Sequence, residues 1–264
     1  MAKRHFHPFA SATTDDGQPS AEADTSRTLT EQTYSLLRDD IIEGRLVPGS
    51  KLRIEHLRTQ YGIGAGTLRE ALTRLVSDAL VSTEGQRGFS VTPIAMSDLE
   101  DITRLRVHIE TDALRQSIRY GGAAWRSQLR ASYEAISGFE QPITANHRRH
   151  WEVLNVRFHD ALLAGQTSPW THKLLRILAR HSERYRCYAI ALPGLIRNVH
   201  AEHTEIFELA LAGREARAAL ALEAHICTTP HLLLQALRDG RLVLPGTSAP
   251  KAAPRATSKT AATA

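Results

Sequence analysis

At 264 residues, with 42% hydrophobic and 23% charged side chains, the chain can hold one large or two smaller globular domains. It has no run of about 18 apolar residues, which excludes a membrane-spanning helix, and MAKRHFHPFASATT lacks the apolar stretch of a secretory signal. Cys187 and Cys227 form no CxxC pair, so the sequence predicts inert thiols in a reducing cytoplasm rather than a disulfide or zinc framework.

The net charge of +5 invites a nucleic-acid reading, but its distribution weakens that inference. Residues 28–93 carry eight Lys/Arg against eight Asp/Glu, while 238–264 carry five basic residues against one acid. A DNA footprint would therefore depend on where single arginines are placed.

Residues 1–27 are rich in Ala, Ser, Thr, Asp and Gly without apolar periodicity, and are expected to be disordered. Tyr34, Leu37, Ile41 and Ile42 mark a first helix closed by Gly44. Pro48-Gly49 then makes a turn into a short extended piece. A short helix over Ile54–Tyr61 ends at Gly62, and a longer one runs over Ala65–Ala79. Strands fit Leu80–Thr83 and Phe89–Thr92 with a hairpin loop at 84–88, and Pro93 closes the unit. This is the element order of a winged helix-turn-helix over residues 28–93.

From Ser97 onward the periodicity is helical only. Ser97 and Glu100 have the spacing of a capping box, and Leu99, Ile102, Leu105, Ile109 and Ala113 continue that helix to Tyr120. Further helices fit 124–137, 147–164, 169–191, 195–212 and 214–237, with Ser168-Pro169 as a start and Gly213 as a stop. The predicted fold class is therefore mainly α: a winged helix-turn-helix followed by an all-α bundle over residues 97–238. The stretch 240–264, biased to Ala, Pro, Thr, Ser and Lys, reads as a flexible basic tail.

A helix-turn-helix needs a tight turn that lets its second helix enter the major groove. Gly62 can supply the left-handed turn, and Leu68, Leu72 and Leu75 face a core at i, i+4 and i+7. Arg69 and Arg74 fall off that stripe and can meet phosphates or bases, with Arg53 and Thr67 nearby. Taken alone, these residues fit an ordinary helical hairpin with a solvated arginine face equally well.

Residues 34–93 resemble the winged helix of the GntR family: PGSKL, the turn, LREAL and the Arg87-Gly88 wing tip occur in its order. Residues 97–237 resemble that family's FCD effector domain, through Arg106-x-x-x-Glu110, Phe158-His159, Glu202-His203 and Ala224-His225. Within that class, KLRIEHL, GAGTLREALTRLV, the non-acidic residue ahead of Arg157-Phe158-His159, and RYR at 184–186 look most like the glutarate-sensing repressors. The resemblance implies a homodimeric regulator that binds a palindromic double-stranded DNA operator and is released by a small carboxylate. Family members carry Ser-Arg-Thr-Pro where this chain has Gly64-Ala65-Gly66-Thr67, so base readout falls to Thr67, Arg69 and the wing.

The resemblance also implies a divalent metal, zinc or nickel, on Asn155, His159, His203 and His225, where the family has one Asp and three His. Asn155 and His159 stand i, i+4 on one helix face. The substitution of Asn for Asp removes an anionic ligand and is expected to weaken the metal. Singly, each of the 13 histidines fits a hydrogen-bonded core residue; the set in family order points to metal. For the effector, Arg106 matches the family's carboxylate-binding arginine. Arg184 with Tyr188 at i+4, and Arg104, are further candidates for the second carboxylate. Two rivals stay open at this point: a metal-dependent enzyme using His159, His203 and His225, and a DNA-binding dimer without an effector.

Overall fold

A computed structural model describes residues 28–83, 88–140, 143, 147–190, 197–242 and 244. The expected disordered segment 1–27, wing residue Arg87 and nearly all of the basic tail lie outside the described residues. The first unit comprises α1 (Leu29–Ile42), β1 (Lys51–Leu52), α2 (Ile54–Tyr61), α3 (Ala65–Ser77), β2 (Val81–Thr83) and β3 (Phe89–Val91). A capping box between Thr28 and Glu31 opens α1. The strands form an antiparallel sheet in the order β1-β3-β2, with Val81 opposite Val91 and Lys51 opposite Ser90. Gly62 stands at φ 67°, the left-handed conformation that ends α2 and aims α3 across it. Leu68, Leu72 and Leu75 of α3 are fully buried against Leu37, Ile41, Leu57 and Leu80.

Helix α3 stops two residues short of Ala79, its expected end, because Ala79 itself turns left-handed at φ 56°. Leu80 N–H then donates to Leu75 O at 3.0 Å and Ala79 N–H to Val76 O at 2.9 Å, the pair of bonds that closes a Schellman motif. Glycine normally occupies that position, so an alanine there carries a strain of roughly 1 kcal/mol.

The second unit is all helical: α4 (Met96–Tyr120), α5 (Ala123–Ser137), α6 (Arg148–Leu163), α7 (Pro169–Ile190), α8 (Val199–Leu211) and α9 (Glu215–Arg238). Its main core gathers Leu114, Leu129, Phe158, Leu162, Ile206 and Leu222. The capping box expected at Ser97 and Glu100 does not form, since α4 begins at Met96 and its cap is Ala95, two residues before Ser97. Tyr185 on α7 holds that end instead. Its hydroxyl donates to Ala95 O at 2.9 Å and accepts from Ala95 N–H at 3.3 Å. The start of the tail departs from expectation too. Leu242 and Leu244 are buried beside Ile94, Leu99, Tyr185 and Tyr188, because two leucines gain more by filling that seam than by facing water.

Helices α6 and α7 both contact the winged helix; Arg149 of α6 pairs with Glu43 at 2.6 Å and lies 3.6 Å from Asp39, and α7 makes the remaining ties described next. Arg180 pairs with Asp78, His181 Nε2 lies 3.2 Å from Asp78 O, and Glu183 pairs with Arg38 of α1. Arg184 Nη2 donates to Thr92 O at 2.5 Å. The cap of α3, the exit of β3 and the body of α1 are thus all held by one helix.

Candidate functional site

Three histidines from three helices converge: His159 on α6, His203 on α8 and His225 on α9. One ring nitrogen from each lies within 4.8 Å of the others, and ring centroids are 4.7 to 5.4 Å apart. Glu140 Oε1 lies 2.6 Å from His203 Nδ1, and Glu202 Oε2 lies 2.7 Å from His225 Nδ1. A carboxylate only accepts, so each Nδ1 donates, which leaves Nε2 as the nitrogen placed to ligate. His203 Nε2 and His159 Nδ1 are buried without a hydrogen-bond partner.

Burial first, then the neighbouring imidazoles, then Arg106 and Arg186 hold His159 well below the ordinary histidine range. His225 is lowered by burial, His203 and Arg197 in that order. Imidazoles from three helices, two of them oriented by carboxylates and two presenting buried nitrogens without a partner, are the donor set that suits zinc or nickel. The residues fit such an ion. Asn155, buried one turn before His159, lines the same space.

That space is a cavity of about 310 Å³ whose polar lining includes Arg106, Asn155, His159, Arg186, Arg197 and His225. Each of the three arginines leans on a glutamate. Arg106 Nε donates to Glu110 Oε1 at 2.5 Å, Arg186 pairs with Glu152, and Arg197 grips Glu202 through two nitrogens at 2.9 and 2.6 Å. Arg197 further donates to Thr229 Oγ1 at 2.9 Å and His225 O at 3.1 Å, which ties α8 to α9 over the histidines. A guanidinium has five donors, so each arginine keeps donors for a ligand beyond its glutamate.

The structure brings Arg106 and the four metal candidates together and separates the other effector candidates from them. Arg184 is only 1% exposed and belongs to the domain junction at Thr92. Tyr188 packs in the apolar seam with Leu99 and Leu233. Arg104 is exposed on α4 and pairs with Asp101. The reason is helical phase: two residues turn a helix by about 200°, so Arg184 and Arg186 leave α7 on opposite sides. Arg186 and Arg197 were missed as cavity residues. The first could have been found by taking Arg184 as a junction residue; the second precedes α8 and offered no periodic signal.

On the winged helix, Arg53 and Arg69 are exposed, Thr67 is half-buried in the first turn of α3, and Gly88 stands at φ 103° beside the wing. Arg74 instead lies over the Tyr34 ring at 4.6 Å, turned toward α1. No side chain caps α3, whose cap is Gly64, so its first amides are open to a phosphate.

Comparison with known proteins agrees with both units. Residues 29–91 match the family model "Bacterial regulatory proteins, gntR family", and residues 101–228 match the FCD domain. The HTH-type transcriptional regulator BphR of Paraburkholderia xenovorans, itself uncharacterized, is 40% identical over 205 residues, covering 76% of this chain and 83% of that protein. The HTH-type transcriptional repressor GlaR of Escherichia coli is 29% identical, covering 77% and 95%. Among solved structures, Escherichia coli McbR superposes with a TM-score of 0.65 at 20% identity, covering 80% of this chain and 99% of that one, which supports the fold.

Proposed function

From the membership of this chain in the GntR family of bacterial regulatory proteins, with an FCD domain behind its winged helix, we propose a homodimeric repressor released by a dicarboxylate, glutarate being the leading candidate. The chain is a transcription regulator rather than an enzyme, and none of its described helices is long and apolar enough to cross a membrane. The observation that carries the proposal is the cavity itself: a three-histidine cluster at one point and three arginines around it. One carboxylate sits toward the histidines and Arg106, and the other is met by Arg186 or Arg197, whose donors replace its hydration. Bound at His159, His203 and His225, with Asn155 beside them, a zinc or nickel ion supplies a cationic seat for the first carboxylate. With Asn155 in place of an acid, that seat is weaker and the arginines take a larger share.

On DNA, two-fold symmetry places two α3 helices in successive major grooves, where Thr67 and Arg69 meet bases or phosphates. Arg53 and the wing around Arg87 and Gly88 hold the backbone. Arg74, stacked on Tyr34, steadies α3 against α1 instead of reaching the operator. The repressor role follows GlaR, whose name carries it, and such a DNA-bound regulator works in the cytoplasm.

A thermal-shift screen of C4–C6 dicarboxylates, with and without chelator, tests the reading. At 100 Kd a ligand adds about 2.7 kcal/mol, which is roughly 5–10 °C in Tm for a domain of this size. Glutarate is expected to give that shift in the wild type and to lose it in Arg106→Ala, while operator affinity stays unchanged. If no acid shifts Tm, the chain is a DNA-binding dimer without an effector. Arg69→Ala is expected to weaken operator binding by about 1–3 kcal/mol with no change in Tm; wild-type affinity would show that α3 does not read the operator.

A further inference from the structure

Glu183 on α7 pairs with Arg38 of α1, and Glu152 on α6 pairs with Arg186 of α7. The two pairs adjoin. Arg38, Glu152 and Glu183 line a second cavity, of about 380 Å³, between α1 and the helical domain. Arg186 faces the other way as well, into the ligand cavity, where it stands with Arg106 and His159. The cluster therefore runs Arg186, Glu152, Glu183, Arg38 from the ligand cavity to the winged helix, where Arg38 also pairs with Asp39 at 3.1 Å and Arg148, Arg149 and Arg157 line the same second cavity. Burial and the nearby Glu152 charge push the Glu183 carboxyl up to about 7, consistent with two carboxylates close together and short of water.

We infer that Glu152 and Glu183 transmit the occupancy of the ligand cavity to α1: an anion that takes up Arg186 leaves Glu152 without a cation, and the two buried carboxylates then compete for Arg38. This rests on the reading that the cavity receives an anion. The consequence is a loosened Arg38–Glu183 contact, and with it a freer winged helix, because like charges in a water-poor site repel strongly while Arg38, the guanidinium bonded to Glu183, is already shared with Asp39. Glu152 and Glu183 are positioning residues in this scheme, since neither touches DNA. A ligand held only by Arg106, Arg197 and the histidines fills the cavity without moving α1, so contact with Arg186 separates an inducer from an inert occupant.

The relay can be tested with no ligand present, in the full chain. Arg186→Gln removes the cation from Glu152 as an anion would, and Arg186→Gln combined with Glu152→Gln removes the stranded carboxylate too. Amide hydrogen exchange over residues 29–42 is expected to speed up tenfold or more in the single variant and to return to within twofold of wild type in the double variant. Exchange over α5, remote from the junction, serves as the internal standard and stays constant. Unchanged α1 exchange in the single variant overturns the inference. So does fast exchange that persists in the double variant, since the missing guanidinium alone would then be the cause. Should Arg186→Gln lose its far-ultraviolet circular dichroism, Arg186→Met, which removes the charge on an arm of similar reach, replaces it with the same expected rise, and no rise overturns the inference equally. Because no acid enters the experiment, a chain that ignores glutarate still reports on the relay.

Discussion

The winged helix buries Leu37, Ile41, Leu57, Leu68, Leu72, Leu75 and Leu80 against one another, and its buried polar residues are Thr33, Asp40 and Ser90. The helical domain buries Glu110, Glu140, Glu152, Asn155, Glu183, Arg184 and His203 among its apolar side chains. Among the described residues, every buried side-chain atom left without a hydrogen bond, from Glu110 Oε2 to His203 Nε2, also lies in the helical domain. A dry aliphatic core tolerates no vacancy and fixes one geometry, as a helix that must meet a groove requires. A core threaded with half-satisfied charges is costly by itself and is stabilised when a partner arrives. One unit is built to stay as it is, the other to respond.

The sharpest test of that contrast is Leu72→Ala. Cavity formation in the aliphatic core should remove about 2–5 kcal/mol, enough to melt the winged helix ahead of the helical domain. Calorimetry is expected to show two separated transitions and no operator binding; a single transition shifted as a whole would mean that the two cores fold as one. Next in size is Glu140→Ala, which takes the acceptor from His203 Nδ1. Losing such an outer partner is expected to lower zinc affinity about 10–100-fold, read by competition with a chromogenic chelator, with little effect on DNA binding.

Acid should act on the helical domain first. His159, His225 and His181 have pKa values below their ordinary 6.5 in the folded state, chiefly through burial. The unfolded chain therefore binds more protons as pH falls below 6.5, and stability drops by up to about 1.4 kcal/mol per unit for each such histidine. Glu183, raised from 4.5 to about 7, acts in the opposite sense: its contribution is full below 4.5 and is lost as pH rises through 7. Three groups against one leave a net loss on going from pH 7 to 5.5, visible as a lower urea midpoint at constant m. A midpoint that rises on acidification would mean that the histidines are charged in the folded protein. The smallest effect is a gain. Ala79→Gly relieves the left-handed alanine at the end of α3 and should stabilise the winged helix by roughly 1 kcal/mol, measured as a higher Tm of its transition alone.

The sequence made the frame of both units legible, because Gly62, the leucine stripe of α3 and the periodicity from Leu99 to Ala113 are local signals. It also brought His159, His203 and His225 into one set, since their order follows a family pattern. What it hid was direction. Arg184 and Arg186 are two letters apart and face different compartments, and only the packing of α7 against both units decides which is which. Glu140 and Arg197, which sit outside the regular helices, are placed by contacts that no periodicity announces. The Ser97 cap failed for a similar reason: a tyrosine from α7, far along the chain, displaces a neighbour three residues away.

Leu242 and Leu244, tucked beside Ile94 and Leu99, make the last described residues a clasp over the segment that joins the two units. Pulled from its C-terminus, the protein should therefore yield there first and bare Ile94 and Leu99 before any helix of the bundle unravels, while α7 still holds the winged helix. A cargo or tag fused closely behind Leu244 would compete with that packing for the same two leucines, so the attachment point itself bears on how well the seam closes.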